Sequence, residues 1–123
     1  MTVIGGKYSV LLVDDDEDYR KYIRILLREY RLNITEAIDG ADGLAKHNEC
    51  KPALIITDIQ MPVVDGYEFI SSVREGDNQT PVIAISSEQS FLEKALVCGA
   101  NESLEKSFSK EDFVECIQKY LTI

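Results

Sequence analysis

Two kinds of apolar pattern alternate along this chain. The first is the short unbroken run: Val10-Leu11-Leu12-Val13, Leu54-Ile55-Ile56 and Val82-Ile83-Ala84-Ile85, with a weaker one at Ser103-Leu104-Glu105. Such runs mark strands covered on both faces, as in a parallel sheet, because neither face is left for water. Ile34 to Ile38 adds a short strand that stops at the turn signal Asp39-Gly40. The second pattern has helical period. Tyr19, Tyr22, Ile23, Leu26, Leu27 and Tyr30 keep the i, i+3, i+4, i+7 spacing of an amphipathic helix.

Ala41 to about Asn48 predicts a weaker helix, and Pro52 marks the return to a strand over Ala53–Thr57. Asp65, with Glu68 three residues on, reads as the cap of a helix carrying Phe69, Ile70 and Val73. Phe91, Leu92, Ala95 and Leu96 predict a fourth helix stopped by Gly99. Ser109 caps a fifth, with Glu111 and Asp112 in its first turn and a stripe of Phe113, Cys116, Ile117, Tyr120 and Leu121. Five β-α units in strict alternation imply an α/β fold: a five-stranded parallel sheet with right-handed crossovers and helices on both faces. The flavodoxin-like strand order 2-1-3-4-5 follows, with its switch point between the first and third strands.

The residues that end the runs bear the chemistry. The first run stops at Asp14-Asp15-Asp16, the third strand at Asp58, the fourth at Ser86 and the fifth at Lys106. Ligands of open α/β sheets bind outside the carboxyl ends of the strands, so these side chains converge on one spot. Two carboxylates about 4 Å apart repel by roughly 4 kcal/mol at an effective dielectric of 20. A fold has no use for such crowding, and a bound cation compensates it. Oxygen-only ligation favours magnesium, with manganese as an alternative, over zinc. Asp16, directly before the helix, also reads as its N-cap.

Composition narrows the classes. A chain of 123 residues with 45% hydrophobic content is sized for one domain with a real core. A net charge of −9 argues against a nucleic-acid-binding face and fits a cation site or a basic protein partner. Cys50, Cys98 and Cys116 have no C-x-x-C spacing, so they read as small hydrophobes rather than zinc ligands or a disulfide framework. His47 stands alone, reads as a surface residue and receives no role. No segment reaches the roughly 20 apolar residues of a membrane span, and residues 1–7 read as an N-terminal tail without signal-peptide character. The expectation is a cytoplasmic protein with no membrane contact.

Val10 to Asp15, Asp58 with Met61-Pro62 and Asp65-Gly66, Ser86, and Lys106 stand in the order and spacing of the response-regulator receiver domains of two-component signalling, which this chain resembles over nearly its whole length. The resemblance implies that Asp58 accepts a phosphoryl group from a sensor histidine kinase or histidine phosphotransfer protein and then switches binding to a downstream protein. It implies that Asp15 ligates magnesium directly, Asp14 through water, and Gln60 through its backbone carbonyl. Lys106 and the Ser86 hydroxyl would hold phosphoryl oxygens, with Gln60 and Glu88 tuning how long the phosphate lasts. Such a domain catalyses only its own phosphorylation and dephosphorylation, so no enzyme turning over a substrate is expected.

Two positions depart from the family pattern. Ser107 stands where a proline usually follows the lysine, leaving open whether that peptide is cis or trans. Ser103 stands where an aromatic switch residue is usual, so read-out is expected through the loop after Ser86 and the fourth helix. The fifth helix offers Lys110 and Lys119 but no arginine for dimer bridges, so a monomer or weak dimer is expected. The family pattern implies that kinase recognition falls to exposed positions of the first helix, for which Arg20, Lys21, Arg24 and Arg28 are candidates; a solvated basic face is the other reading of the same residues. The chain stops soon after the fifth helix, which fits a stand-alone receiver or one taken from a longer protein. Two other readings are an aspartyl phosphohydrolase, disfavoured by Gln60 where its general acid would stand, and a pseudo-receiver that keeps only the fold.

Overall fold

Asp16 opens the first helix as an N-cap, its carboxylate accepting from the Asp18 and Tyr19 backbone amides, and the same device starts three further helices. Asp39, Asp65 and Ser109 each accept from the backbone amide three residues on, supplying a partner to donors that a helix leaves unpaired. The computed structural model describes residues 8–123, and the expected tail at residues 1–7 lies outside the described residues. In chain order the elements are β1 (Tyr8–Val13), α1 (Glu17–Leu27), β2 (Leu32–Ala37), α2 (Gly40–Cys50), β3 (Leu54–Asp58) and α3 (Gly66–Gly76). They continue with β4 (Val82–Ser86), α4 (Leu92–Cys98), β5 (Glu102–Glu105) and α5 (Lys110–Gln118).

The sheet is wholly parallel, in the order β2-β1-β3-β4-β5. Strand alternation sends side chains to two cores. Val10, Leu12, Ile56, Ile83 and Ile85 pack with Ile23 and Leu27 of α1 and Phe113 and Ile117 of α5. Leu11, Val13, Ile55, Val82 and Ala84 pack with Phe69, Ile70 and Val73 of α3 and Ala95 of α4. Register then levels the strand ends: Val13 pairs with Thr57, Asp58 with Ile85, and Ser86 with Glu105. Asp14, Asp58, Ser86 and Lys106 therefore leave the sheet on the same edge.

Element bounds shift where pairing or capping outweighs periodicity. β2 starts at Leu32, earlier than expected, because it pairs with Tyr8. It stops before Ile38, whose amide turns to the Asp42 carboxylate. α1 stops at Leu27, and Tyr30 covers the core from the following turn. A 3-10 turn at Gln89–Phe91 precedes α4, so Phe91 enters as a turn residue, and Gly99 ends α4 with φ 121°. The three cysteines are free thiols, with Cys116 buried and Cys50 and Cys98 half-buried.

Two assignments require correction. His47 is no bare surface residue: its side chain is largely covered, and Nε2 lies 2.9 Å from Asp77 Oδ2, tying α2 to the end of α3. Arg20 is buried rather than exposed. Its Nε sits 2.8 Å from Glu36 on β2, and a guanidinium N–H donates to the Asp14 carbonyl at 2.6 Å. A buried guanidinium requires such partners, and they remove Arg20 from any recognition surface.

Candidate functional site

Asp14 follows β1 directly and Asp58 is the last residue of β3. Both are buried, whereas Asp15 is exposed. Carboxylate oxygens of Asp14, Asp15 and Asp58 lie within 4.8 Å of one another. Local bonds hold them there. The Asp14 amide donates to Ala37 across the sheet at 3.1 Å, its Oδ1 accepts from the Asp16 amide at 2.9 Å, and Arg20 grips its carbonyl. Asp58 Oδ1 accepts from the Ile59 amide at 2.9 Å.

Lys106 crosses to these acids from the far end of the chain. Its Nζ is 3.0 Å from Asp14 Oδ2 and 3.4 Å from Asp58 Oδ1, while its amide donates to the Ser86 carbonyl at 2.8 Å. The Lys106–Ser107 peptide is trans, as are all described peptides. Ser86 is fully buried, and its Oγ accepts from the Glu88 amide at 3.1 Å. Gln60 and Glu88 are both exposed at positions next to the cluster in sequence. Ser103 is half-buried on β5, opposite Ala84. The structure thus brings Asp14, Asp15, Asp58 and Lys106 into one cluster, with Ser86 on the adjoining strand end.

One ammonium faces two buried carboxylates, and the imbalance shows in the protonation of Asp14 and Asp58. Burial, then the Asp14 charge, push the Asp58 carboxyl up to about 6; Lys106 and the Ile59 amide oppose this. Burial likewise raises Asp14, against the pull of the Asp16 amide and Lys106. An oxygen cluster with two buried carboxylates and too little positive charge suits a hard cation, and the Asp58 carboxylate held within it is placed to act as a nucleophile.

Sequence reasoning missed two contributors. Arg20 orients the Asp14 backbone, a role that residue type alone does not signal. Tyr19 lies with its ring centroid 4.2 Å from Lys106 Nζ; its helical spacing marks it as core-facing but carries no hint of the lysine.

The family model for the response regulator receiver domain matches residues 10–118. Protein PilG of Pseudomonas aeruginosa is 34% identical over 117 residues, covering 92% of this chain and 87% of that one. The chain spans about half the length of the mycobacterial transcriptional regulatory proteins TrcR and PrrA that it also matches. Among solved structures, the chemotaxis response regulator CheY4 of Vibrio cholerae superposes with a TM-score of 0.85 at 30% identity, covering 94% of this chain and all of that one. The receiver domain of a Pseudomonas aeruginosa sensor histidine kinase also gives 0.85, at 25% identity and 94% and 98% coverage, and carries a magnesium ion in its active-site cleft.

Proposed function

Because the chain belongs to the response regulator receiver domain family, we propose that Asp58 is its phosphoacceptor and that the cluster around it is built for aspartyl phosphorylation. Receiver domains act with histidine kinases or phosphotransfer proteins in two-component signalling. The observation that carries the assignment to Asp58 is a buried carboxylate 3.4 Å from the Lys106 ammonium and within 4.8 Å of the Asp14 and Asp15 carboxylates. In the proposed reaction an Asp58 oxygen attacks the phosphorus of a phosphohistidine on the donor. The P–O bond forms as the P–N bond breaks, and the leaving imidazole nitrogen takes a proton.

The carboxylates of Asp14, Asp15 and Asp58, with the Gln60 backbone carbonyl, would hold magnesium, or manganese in its place. When bound, the ion neutralises charge developing on the phosphoryl oxygens. Lys106 supplies a point charge for one oxygen, and the Ser86 hydroxyl a hydrogen bond for another. Gln60 and Glu88, exposed beside the cleft, are placed to tune access of the hydrolytic water. Phosphorylation moves Ser86 and the segment through α4 and so switches a downstream protein partner. The protein acts on its own Asp58 and turns over no separate substrate.

Membership of the receiver family supports a cytoplasmic setting; among the described residues no helix is long and apolar enough to cross a membrane. Lys110 and Lys119 are engaged within the chain by Glu29 and Glu102, in keeping with a monomer or weak dimer. The exposed Lys21 and Arg24 of α1 and Arg28 just after it are the candidates for donor recognition.

The test is incubation with magnesium and a small acyl phosphate or phosphoramidate. The expected product is an acid-stable, base-labile phosphate on Asp58 that does not form in excess chelator. Absence of label, or label on another residue, would overturn the assignment. Magnesium should also raise the melting temperature, since a ligand that binds only the native state stabilises it by about 2.7 kcal/mol at 100 times its Kd. Asp15→Ala should remove most of that shift; a melt insensitive to magnesium in the parent would count against the cation site.

A further inference from the structure

Lys106 stands at the end of β5, an edge strand of four residues, and is followed by an exposed trans-linked serine. Among the described residues its backbone is pinned only through the Ser86 carbonyl, and a lysine stem has four rotatable bonds beyond that. The ammonium nevertheless lies in one place, with the side chain 18% exposed, between Asp14, Asp58 and the face of the Tyr19 ring. A cation within about 6 Å of an aromatic centroid is attracted by the ring quadrupole, most strongly where water is excluded.

Building on the assignment of Asp58, we infer that Tyr19 is a positioning residue for Lys106, its ring holding the ammonium at the phosphoryl-accepting site. The two acids cannot do this alone throughout the reaction. Conversion of Asp58 to an acyl phosphate moves its negative charge out onto the phosphoryl oxygens, and a cation on Asp14 weakens that ion pair, whereas the ring quadrupole is the same before and after. Tyr19 is itself well anchored. Its amide caps on Asp16, its ring packs on the core beneath α1, and it lies 5.6 Å from Tyr22 in a tilted pair.

The ring, not the hydroxyl, does the work. The hydroxyl is buried with no hydrogen-bond partner among the described residues. Burial and the neighbouring Tyr22, Asp14 and Asp58 charges push its pKa upward, so the ring stays neutral. An unpaired buried hydroxyl is a cost to the fold, so Tyr19→Phe should be at least as stable as the parent and keep its phosphorylation rate. Tyr19→Leu keeps the apolar bulk and loses the quadrupole. It should phosphorylate about tenfold more slowly from a small phosphodonor, the equivalent of about 1.4 kcal/mol.

Three readouts separate positioning from a merely structural role. The ring-current upfield shift of the Lys106 ε-methylene protons should be present in the parent and Tyr19→Phe and absent in Tyr19→Leu. The magnesium-induced melting shift should survive in Tyr19→Leu. In a Lys106→Met background, Tyr19→Leu should slow phosphorylation no further. An unshifted Lys106 signal in the parent, a full rate in Tyr19→Leu, or an additive loss in the double variant would each overturn the inference. If Asp58 takes no phosphoryl group, the assignment fails on labelling while the NMR shift still decides the Tyr19–Lys106 contact.

Discussion

Asp58→Asn is expected to take up no phosphoryl group and, without magnesium, to be more stable than the parent chain. The first half follows from chemistry. An amide has no anionic oxygen to attack phosphorus, so label should fall to the level of chelated parent. The second half follows from the charge imbalance. A carboxyl held near 6, rather than near the ordinary value of about 3.9, is a charged group that the fold disfavours at neutral pH. Complete conversion would give about 3 kcal/mol. Solvent screening at the mouth of the cleft reduces this to about 1–2 kcal/mol. Asn keeps the shape and can still accept from the Ile59 amide, while Lys106 retains Asp14.

The sign of the pH dependence is fixed by the same shift. Because the folded carboxyl is raised, its penalty is full above pH 6 and is relieved as pH falls from 6 toward 4. Metal-free parent should therefore gain stability against urea between pH 7 and pH 5, and Asp58→Asn should show a flatter profile. Asp42, Asp77 and Glu102 act oppositely. Burial is the largest single influence on Asp42 and Asp77 and raises both, but the Ile38 amide with Lys46, and Thr80 with His47 and Gln79, together outweigh it; in Glu102 the Tyr120 hydroxyl leads the lowering. The stability they contribute is lost at lower pH, as those bonds' carboxylates take up protons. Saturating magnesium should reverse the ranking, since it stabilises the parent more. Label on Asp58→Asn equal to the parent would overturn the phosphoacceptor assignment, and a metal-free variant less stable than the parent would contradict the charge argument.

The fold was readable because a strand covered on both faces leaves an unbroken apolar run, and β1, β3 and β4 are such strands. The site was readable for a related reason: parallel register brings the residues that end those runs to one edge, so Asp58 and Ser86 need no further information to meet. What stayed hidden depends on side-chain reach across the chain. Arg20 looks like one more basic residue of a solvated helix until Glu36, 16 residues on, and the Asp14 carbonyl draw it inward. His47 acquires its partner 30 residues away, where the turn after α3 presents Asp77. Lys106 could be placed near the acids by strand order, but the ring that faces it belongs to α1, and helical period reports only that Tyr19 faces inward.

Gly66→Ala is expected to damage both stability and phosphorylation, although alanine is the better helix former. Gly66 is the first residue of α3, and its amide donates to Ile59 at 2.8 Å, drawing the helix start onto the end of β3. A Cβ there would lie 2.4 Å from the Asp58 carbonyl oxygen and 2.6 Å from Ile59 Cα. Both obstacles are backbone, so no rotamer change makes room and the helix must lift away. Overpacking of this kind costs about 1–3 kcal/mol and at times more, read as a lower urea midpoint with an unchanged slope. The displaced backbone is that of the phosphoacceptor itself. A misplacement of about 1 Å at a reacting group can cost 10²-fold, so label should form at least tenfold more slowly even where the variant is fully folded. Gly76→Ala is the control. At the last position of the same helix an added Cβ meets nothing within 4 Å, and the smaller entropy cost of alanine should raise stability by about 0.5–1 kcal/mol. Equal effects of the two substitutions would mean that close approach to Asp58 is not what demands glycine at position 66.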